Sequence, residues 1–451
     1  MKHKKLFLLI AIVPYSSLAL AQQAADTASP RQITLTEAVQ LALKHNHSVR
    51  IAELEVQQKQ DAKAAARSEY LPTIQNESMA LRVTDTQFIE IPAGGFGTVS
   101  GSPVPATPVT ISQGAKSYEL SGTTLSQPLT QLFTKVKPAN DAAEADLNAS
   151  RADQQETENE VALKVHEIYY KILIAQVHRS ATQSKISADQ DLENERVQQV
   201  KYGSALDEQL IESRAEALEA KQDLLATELQ ISDLTIQLND LMGLPVRTQL
   251  ALDSTVASIQ DTCQREECVK IALASHPEVA AARAQVEKAS AGVRLAKAEY
   301  LPDVSVFARY NYQNNVPFLA RNFGTFGVQL KYDLFDGGRR RDDLRESDSK
   351  LAEAKENLAR VTDDVDVRVE TALNNLDRTK QMVNVSEQVL ALRTESRRVS
   401  AQQLVRGEAL QSQVDVALAQ ELDAKALLLQ SQLGYIQAHD ELFQAMGLTP
   451  Q

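Results

Sequence analysis

The 451-residue chain carries 47 Lys and Arg against 60 Asp and Glu, a formal net charge of −13. Such an acidic balance argues against nucleic acid as a partner. Trp is absent, Gly and Pro are few, and Ala, Leu, Gln and Glu are abundant, so the composition leans helical.

Met1 to Lys5 is basic, Leu6 to Val13 is a short apolar run, and Ala19-Leu20-Ala21 closes a small-residue stretch. That order reads as a secretory signal peptide over residues 1–21, cleaved after Ala21. The apolar run is shorter than the ~20 residues of a bilayer span, and no Cys follows it to form a lipobox. Beyond Ala21 no apolar run approaches a transmembrane helix. An exported chain of this kind is either soluble or inserts as a β-barrel, whose strands are only half apolar.

The mature chain repeats itself. AVQLALKHNHSV and SEYLP in the first part return as CVKIALASHPEV and AEYLP. Tyr70 aligns with Tyr300, an offset of 230 (300 − 70), and Val39, Ala42, Val49 and Pro72 align with Val269, Ala272, Val279 and Pro302. Further on, Gly203 aligns with Gly407 and Met242-Gly243-Leu244 with Met446-Gly447-Leu448, an offset of 204 (407 − 203). The offset falls by 26 (230 − 204), which places an insertion in the Gly-, Pro-, Ser- and Thr-rich stretch Ile91 to Lys116. The expected plan is a first repeat over 22–245, a linker over 246–265 and a second repeat over 266–451.

Each repeat opens with an expected helix, from about Thr36, read as its N-cap, to Glu69, and from about Glu266 to Glu299. Tyr-Leu-Pro ends both, because Pro has no N–H and restricts the residue before it. The period then changes from 3.6 to 2. Val304, Val306, Ala308, Tyr310 and Tyr312 alternate with Asp303, Ser305, Phe307, Arg309 and Asn311, and Phe326, Val328 and Leu330 with Thr325, Gln329 and Lys331. This is the alternation of a barrel strand with one face in lipid and one in water. A looser version sets Met79, Leu81 and Val83 on one strand and Tyr118, Leu120 and Gly122 on another. Strand hairpins are expected at about 73–130 and 303–335.

Pro138 to Gly203 and Arg341 to Gly407 then contain no internal Pro or Gly. Each could form a helix about 100 Å long. Shorter helices return from Leu206 to Met242 and from Leu410 to Met446. In the first, Leu210, Ala217, Leu224, Ile231 and Leu238 keep a heptad seam, with Ile211, Leu218 and Leu225 as a second stripe beside it. Four strands cannot close a barrel, and open edges are not tolerated in lipid. Chains must therefore share one: two copies give about 8 strands around a filled interior, and three give about 12, which can leave a lumen.

These residues resemble the TolC family of outer-membrane efflux channels. The resemblance rests on the paired Tyr-Leu-Pro segments, Asp333-Leu334-Phe335-Asp336-Gly337-Gly338-Arg339-Arg340 before the long helix, Gly203 and Gly407 at the turns, and the paired Met-Gly-Leu ends. It implies a mainly α chain with a β-barrel portion, assembled as a homotrimer. A 12-stranded barrel in outer-membrane lipid would continue as a periplasmic α-helical barrel. The partners it implies are a periplasmic adaptor and an inner-membrane pump or ABC exporter, whose docking opens a passive exit for efflux or type I secretion. The first repeat departs from the pattern at Gln127-Pro128-Leu129-Thr130-Gln131-Leu132-Phe133, which lacks the Gly-Gly.

By the same resemblance, the adaptor meets the turns Tyr202, Gly203, Ser204, Ala205 and Leu206, and Arg406, Gly407, Glu408, Ala409 and Leu410. Tyr202 and Arg406 stand where Val is frequent in the family. Glu212, nine residues after Gly203, and Asp415 are candidates for an acidic aperture. Simple helix capping and a solvated surface are the plainer readings of these Gly and acidic residues.

Cys263 and Cys268 can form a disulfide in an exported protein; free thiols or a metal site are the alternatives. Gly94-Gly95-Phe96-Gly97 is followed by no helix that would make it a nucleotide fingerprint. His45 and His47 have no acidic partner at ligand spacing. No enzyme activity and no cofactor are expected. An exported coiled-coil scaffold or a periplasmic adaptor is the rival reading.

Overall fold

Capping and helix-breaking residues set the element ends in the computed structural model. It describes residues 31–449 apart from 87, 113–114, 254–262 and 317–319. The signal peptide and its cleavage site lie outside the described residues. β1 (Arg31–Ile33) leads into α1 (Leu35–His45), whose N-cap is Thr34 and not Thr36. The Thr34 hydroxyl accepts from the Glu37 N–H at 3.2 Å. The helix expected to run to Glu69 stops at Asn46 and restarts as α2 (His47–Ser68). Asn46 is extended, and its side chain accepts from the Ser48 N–H at 2.8 Å. A short polar side chain thus holds the break as a cap.

Next come β2 (Thr73–Arg82), β3 (Phe88–Ile91), β4 (Thr98–Val99), β5 (Ser102–Pro103), β6 (Val109–Ser112) and β7 (Ser117–Pro128). The insertion forms the β3–β6 and β4–β5 pairs. α3 (Leu129–Gln131) and a π-helical turn, Leu132–Val136, then feed α4 (Lys137–Lys201), 65 residues or about 98 Å long. α5 (Asp207–Leu241) returns. The linker enters as β8 (Leu250–Leu252), parallel to β1. The second repeat has α6 (Arg265–Ser275), α7 (Pro277–Ala298), β9 (Asp303–Asn314), β10 (Asn322–Lys331), α8 (Arg339–Val405) and α9 (Gln411–Ala445). The expected single helix Glu266 to Glu299 also breaks, at His276, because Pro277 cannot continue α6.

The sheet runs β10-β9-β7-β2, antiparallel throughout, so β2 and β10 are edge strands within the chain. Directly paired residues share a face. Val304–Leu330, Val306–Val328, Ala308–Phe326, Ala308–Leu125 and Leu125–Ile74 therefore form one apolar side. Met79 pairs with Leu120 and Leu81 with Tyr118, one residue out of step, on the opposite side with Arg309 and Asn311. The apolar residues singled out in the first hairpin thus face away from those of the second.

Two equivalent cores lie near mid-length of the long helices. Ala42, Val49, Val161, Val165, Leu238 and Met242 pack in the first, and Ala272, Val279, Val365, Val369, Leu442 and Met446 occupy the matching positions in the second. Here each returning helix meets a broken one. Gly243 abuts His45, and a Cβ on Gly447 would lie 2.5 Å from the His276 Cα. The Met-Gly-Leu repeat is therefore a close approach of helix end to helix break. α4 is flanked by α2 above this belt and α5 below it, and α8 by α7 and α9.

Candidate channel, belt and docking site

At the far end from the sheet, both turns have the same geometry. Gly203 has φ +71° and Gly407 φ +72°, the left-handed region that favours glycine. The Ser204 N–H reaches the Gln199 carbonyl at 2.8 Å, and the Glu408 N–H the Gln403 carbonyl at 2.9 Å. These are Schellman closures of α4 and α8. Tyr202, Ser204, Leu206, Arg406, Glu408 and Leu410 are exposed, while Ala205 and Ala409 are half-buried. The turns thus present bulky apolar and charged side chains on a tight frame. Glu212 is exposed on α5; Asp415 is half-buried on α9 and accepts from the Gln411 amide at 2.9 Å.

At the other end, polar groups gather on the sheet side opposite Val304. Arg309 lies over Gly122, where a Cβ would meet its Nε at 3.3 Å. Glu77, Asn311 and Gln313 line the same hollow, about 280 Å³ in volume. On the apolar side, Asn76 donates to Thr123 Oγ1 at 2.8 Å, and the Ser78 and Ser121 hydroxyls lie 2.8 Å apart. These polar groups satisfy one another. Leu71, Phe133, Leu334 and Phe335 are exposed where sheet meets helix.

That transition differs between repeats. In the second, Gly337 and Gly338 take positive φ. The Asp336 carboxylate accepts from the N–H groups of Gly338 at 3.0 Å and Arg340 at 3.1 Å. The Arg340 and Gly338 N–H groups hold its carboxyl down to about 2. The first repeat has no Gly-Gly and makes the bend with the π turn. The Val304 N–H donates to Thr130 Oγ1 at 3.2 Å, and Lys135 bridges Glu299 and Asp303.

The belt holds polar groups that the sequence reading missed. His166 of α4 and Asp440 of α9 form a buried pair at 2.6 Å. Burial pushes the Asp440 carboxyl up, but hydrogen bonds from His166 and His439 outweigh it, and the net shift is downward. Glu156, His276 and Glu278 each bring one ligand atom within 4.8 Å of the others. Glu278 is held by Arg368 through two bonds, at 2.9 and 2.6 Å. His276 Nδ1 accepts the Glu278 N–H at 3.2 Å, so its neutral ring carries the proton on Nε2. A metal ion would have to break both arrangements, and the donor set reads as a charge cluster. Burial first, then Glu278 and Glu160, push the Glu156 carboxyl up to about 7. These groups lie on α4, α7 and α8, more than a hundred residues apart in places, so no local spacing announces them. Cys263 and Cys268 are joined in a disulfide with Cα atoms 5.5 Å apart, beside Met446.

Residues 268–448 match the profile of the family described as outer membrane efflux protein. The pyoverdine export outer membrane protein OpmQ of Pseudomonas putida is 25% identical over 331 residues, covering 69% of this chain and 67% of that protein. The crystal structure of the outer membrane protein VceC from Vibrio cholerae superposes with a TM-score of 0.74 at 17% identity, over 92% of this chain and 97% of that one. The CmeC outer membrane channel of Campylobacter jejuni gives 0.75 at 14% identity, over 98% and 94%. The fold is the one these structures share.

Proposed function

We propose, from the premise that this chain belongs to the outer membrane efflux protein family, that three copies form one exit duct spanning the outer membrane and reaching into the periplasm. The observation that carries this reading is the four-stranded sheet with two unpaired edges at the head of helices about 98 Å long. Free edges are not stable in lipid. In-chain pairing joins the second strand of one hairpin to the first strand of the next, β7 to β9. The same step between chains joins β10 to β2 of the neighbour, and three copies close about 12 strands. The Val304–Phe326 side faces lipid and the Arg309 side faces the lumen. Leu71, Phe133, Leu334 and Phe335 mark the periplasmic boundary of the outer-membrane lipid.

The duct is a conduit and has no catalytic role. Its tip, at Tyr202 to Leu206 and Arg406 to Leu410, receives a periplasmic adaptor that links it to an inner-membrane pump or ABC exporter. Glu212 and Asp415, near the tip in three copies, would form an acidic constriction that favours cations. A cleaved signal peptide over residues 1–21 delivers the chain. The reading is tested by mass measurement of detergent-extracted protein and by efflux in cells. A trimer is expected, with efflux lost on Gly407→Pro while trimers and membrane insertion persist. A monomer as the dominant species would overturn the duct. Normal efflux by the tip variant would overturn the docking role.

A further inference from the structure

The first hairpin exchanges its faces part-way up. Near the helices, Ile74 and Leu125 lie on the Val304 side of the sheet, and Gln75 and Thr124 lie on the Arg309 side. Further out the order reverses. Ser78 and Ser121 take the Val304 side, and Met79 and Leu120 take the Arg309 side. The exchange falls on the row Glu77–Gly122–Asn311, whose middle residue has no side chain.

The hollow of about 280 Å³ opens at that row, on the Arg309 side, with Gly122 as its floor. Arg309 belongs to the next row down, opposite Thr124, and its guanidinium lies across the bare backbone. A Cβ at 122 would stand 3.3 Å from its Nε, 3.5 Å from its Nη2 and 3.5 Å from Asn311 Oδ1. On the other side of β9, the floor at Gly327 is sealed by the Phe307 ring, 3.4 Å from where a Cβ would stand. The charges at the Gly122 hollow are uncommitted. Among the described residues, no side-chain hydrogen bond or ion pair engages Arg309 or Glu77. Asp303, at the foot of the same face, is by contrast held by Lys135 at 3.4 Å. Met79, Leu120 and Phe323 complete the wall, and Met79 and Phe323 are 42% and 39% exposed. An open apolar wall with a few placed polar groups is the make-up of a small-molecule site.

We infer that this hollow is a way-station for zwitterionic organic molecules with an apolar or aromatic body. The carboxylate of such a molecule takes the Arg309 guanidinium, whose forked N–H groups match two carboxylate oxygens. Its ammonium meets Glu77 across the Gly122 floor, and its apolar body lies on Met79, Leu120 and Phe323. The volume is just below that of a site for a whole drug-sized ligand, so the hollow holds one end of a larger molecule. Charge pairs this exposed are weak. Weak binding suits a conduit, because a tight site would stop the flow. The turning of Met79 and Leu120 away from lipid thereby acquires a use.

A way-station needs a duct, so this site rests on the trimeric reading, and two measurements separate them. Phenylalanine, phenylpropanoate and phenylethylamine share one ring and differ in whether they carry the ammonium and the carboxylate. Saturation-transfer NMR on protein extracted into deuterated detergent reads their ring protons at millimolar concentration. Phenylalanine is expected to give the largest transfer. Arg309→Gln should weaken phenylalanine and phenylpropanoate by about threefold to fivefold, but not phenylethylamine. Glu77→Gln should weaken phenylalanine and phenylethylamine, but not phenylpropanoate. Both side chains are exposed, so the trimer mass should not change. Equal transfer to all three probes, or to phenylalanine in the unmodified and Arg309→Gln proteins, would overturn the site and leave the trimer standing. A monomeric mass for the unmodified chain would overturn the duct and the way-station with it.

Discussion

The two belt cores occupy matching positions yet are built differently. The first buries Ile168, Tyr169 and Ile172, and the second has Ala372, Leu373 and Leu376 in their places. The Tyr169 hydroxyl donates to the Ile33 and Asp253 carbonyls at 3.1 and 2.9 Å, tying the β1–β8 linker into the first core. The second core is thinner and is reinforced by other means: the Cys263–Cys268 disulfide, the Glu278–Arg368 pair and, across the repeat boundary, His166–Asp440. The repeat-equivalents of His166 and Asp440 are Glu370 and Ile236, which form no such pair. The duplication kept the shape of the core, and the buried His166–Asp440 pair was added where one repeat meets the other inside a chain.

The sharpest way to test that contrast is at the helix ends. Gly447→Ala combines a φ of +74° with a Cβ 2.5 Å from backbone, whereas Gly243→Ala, at φ +66°, meets the His45 side chain at 2.7 Å. Strain plus overpacking should cost about 3–5 kcal/mol at 447 and roughly 2–3 kcal/mol at 243. At Gly407, with nothing within 4 Å, the cost should be only about 1 kcal/mol. Urea midpoints of the extracted protein give the ranking, and a loss at 407 matching that at 447 would break the comparison. His166→Ala strands the buried Asp440 carboxylate and should cost about 3 kcal/mol in thermal unfolding.

Next in size is the disulfide. It closes a very short loop, so Cys263→Ser with Cys268→Ser should cost about 2 kcal/mol. Alkylation without reductant should find no free thiol in the unmodified chain, and two free thiols would remove this support from the second core. The smallest effect concerns Glu156. An acid whose pKa is raised in the fold carries no penalty below its ordinary 4.5 and a growing one as pH climbs to about 7, with no further change above. Stability should therefore fall across that window, by about 1 kcal/mol once partial exposure is allowed for. Glu156→Gln should flatten the profile, read as unfolding temperatures at about pH 5 and about pH 8. A slope that survives the substitution would assign it to other groups.

Much of the architecture was legible because it is written in long, strong periods. The 65-residue stretches without Gly or Pro, the alternation after Pro302 and the paired glycines at 203 and 407 all carry their own physics. The break at Asn46 was not legible, because Asn is tolerated inside helices; the break at His276 carries a local signal in Pro277, which the expected single helix Glu266 to Glu299 ran through. The facing of Met79 and Leu81 was hidden for a related reason, since the side a residue takes is fixed by register with β7 and β9, not by its own strand. The Glu156 cluster joins three helices distant in sequence. What a single periodic segment cannot encode is which segment it will lie against.

The helix breaks have a mechanical consequence. At the height of the belt, α1–α2 meets the end of α5 and α6–α7 meets the end of α9, so among the described residues only α4 and α8 cross that level as unbroken rods. Bending stiffness there comes from two continuous backbones and from non-covalent end-to-end contact in the other two columns. A torque applied at Gly203 or Gly407 is therefore absorbed first as slip at Gly243–His45 and Gly447–His276. The upper wall, clamped by its sheet, is the stiffer half of a jointed lever.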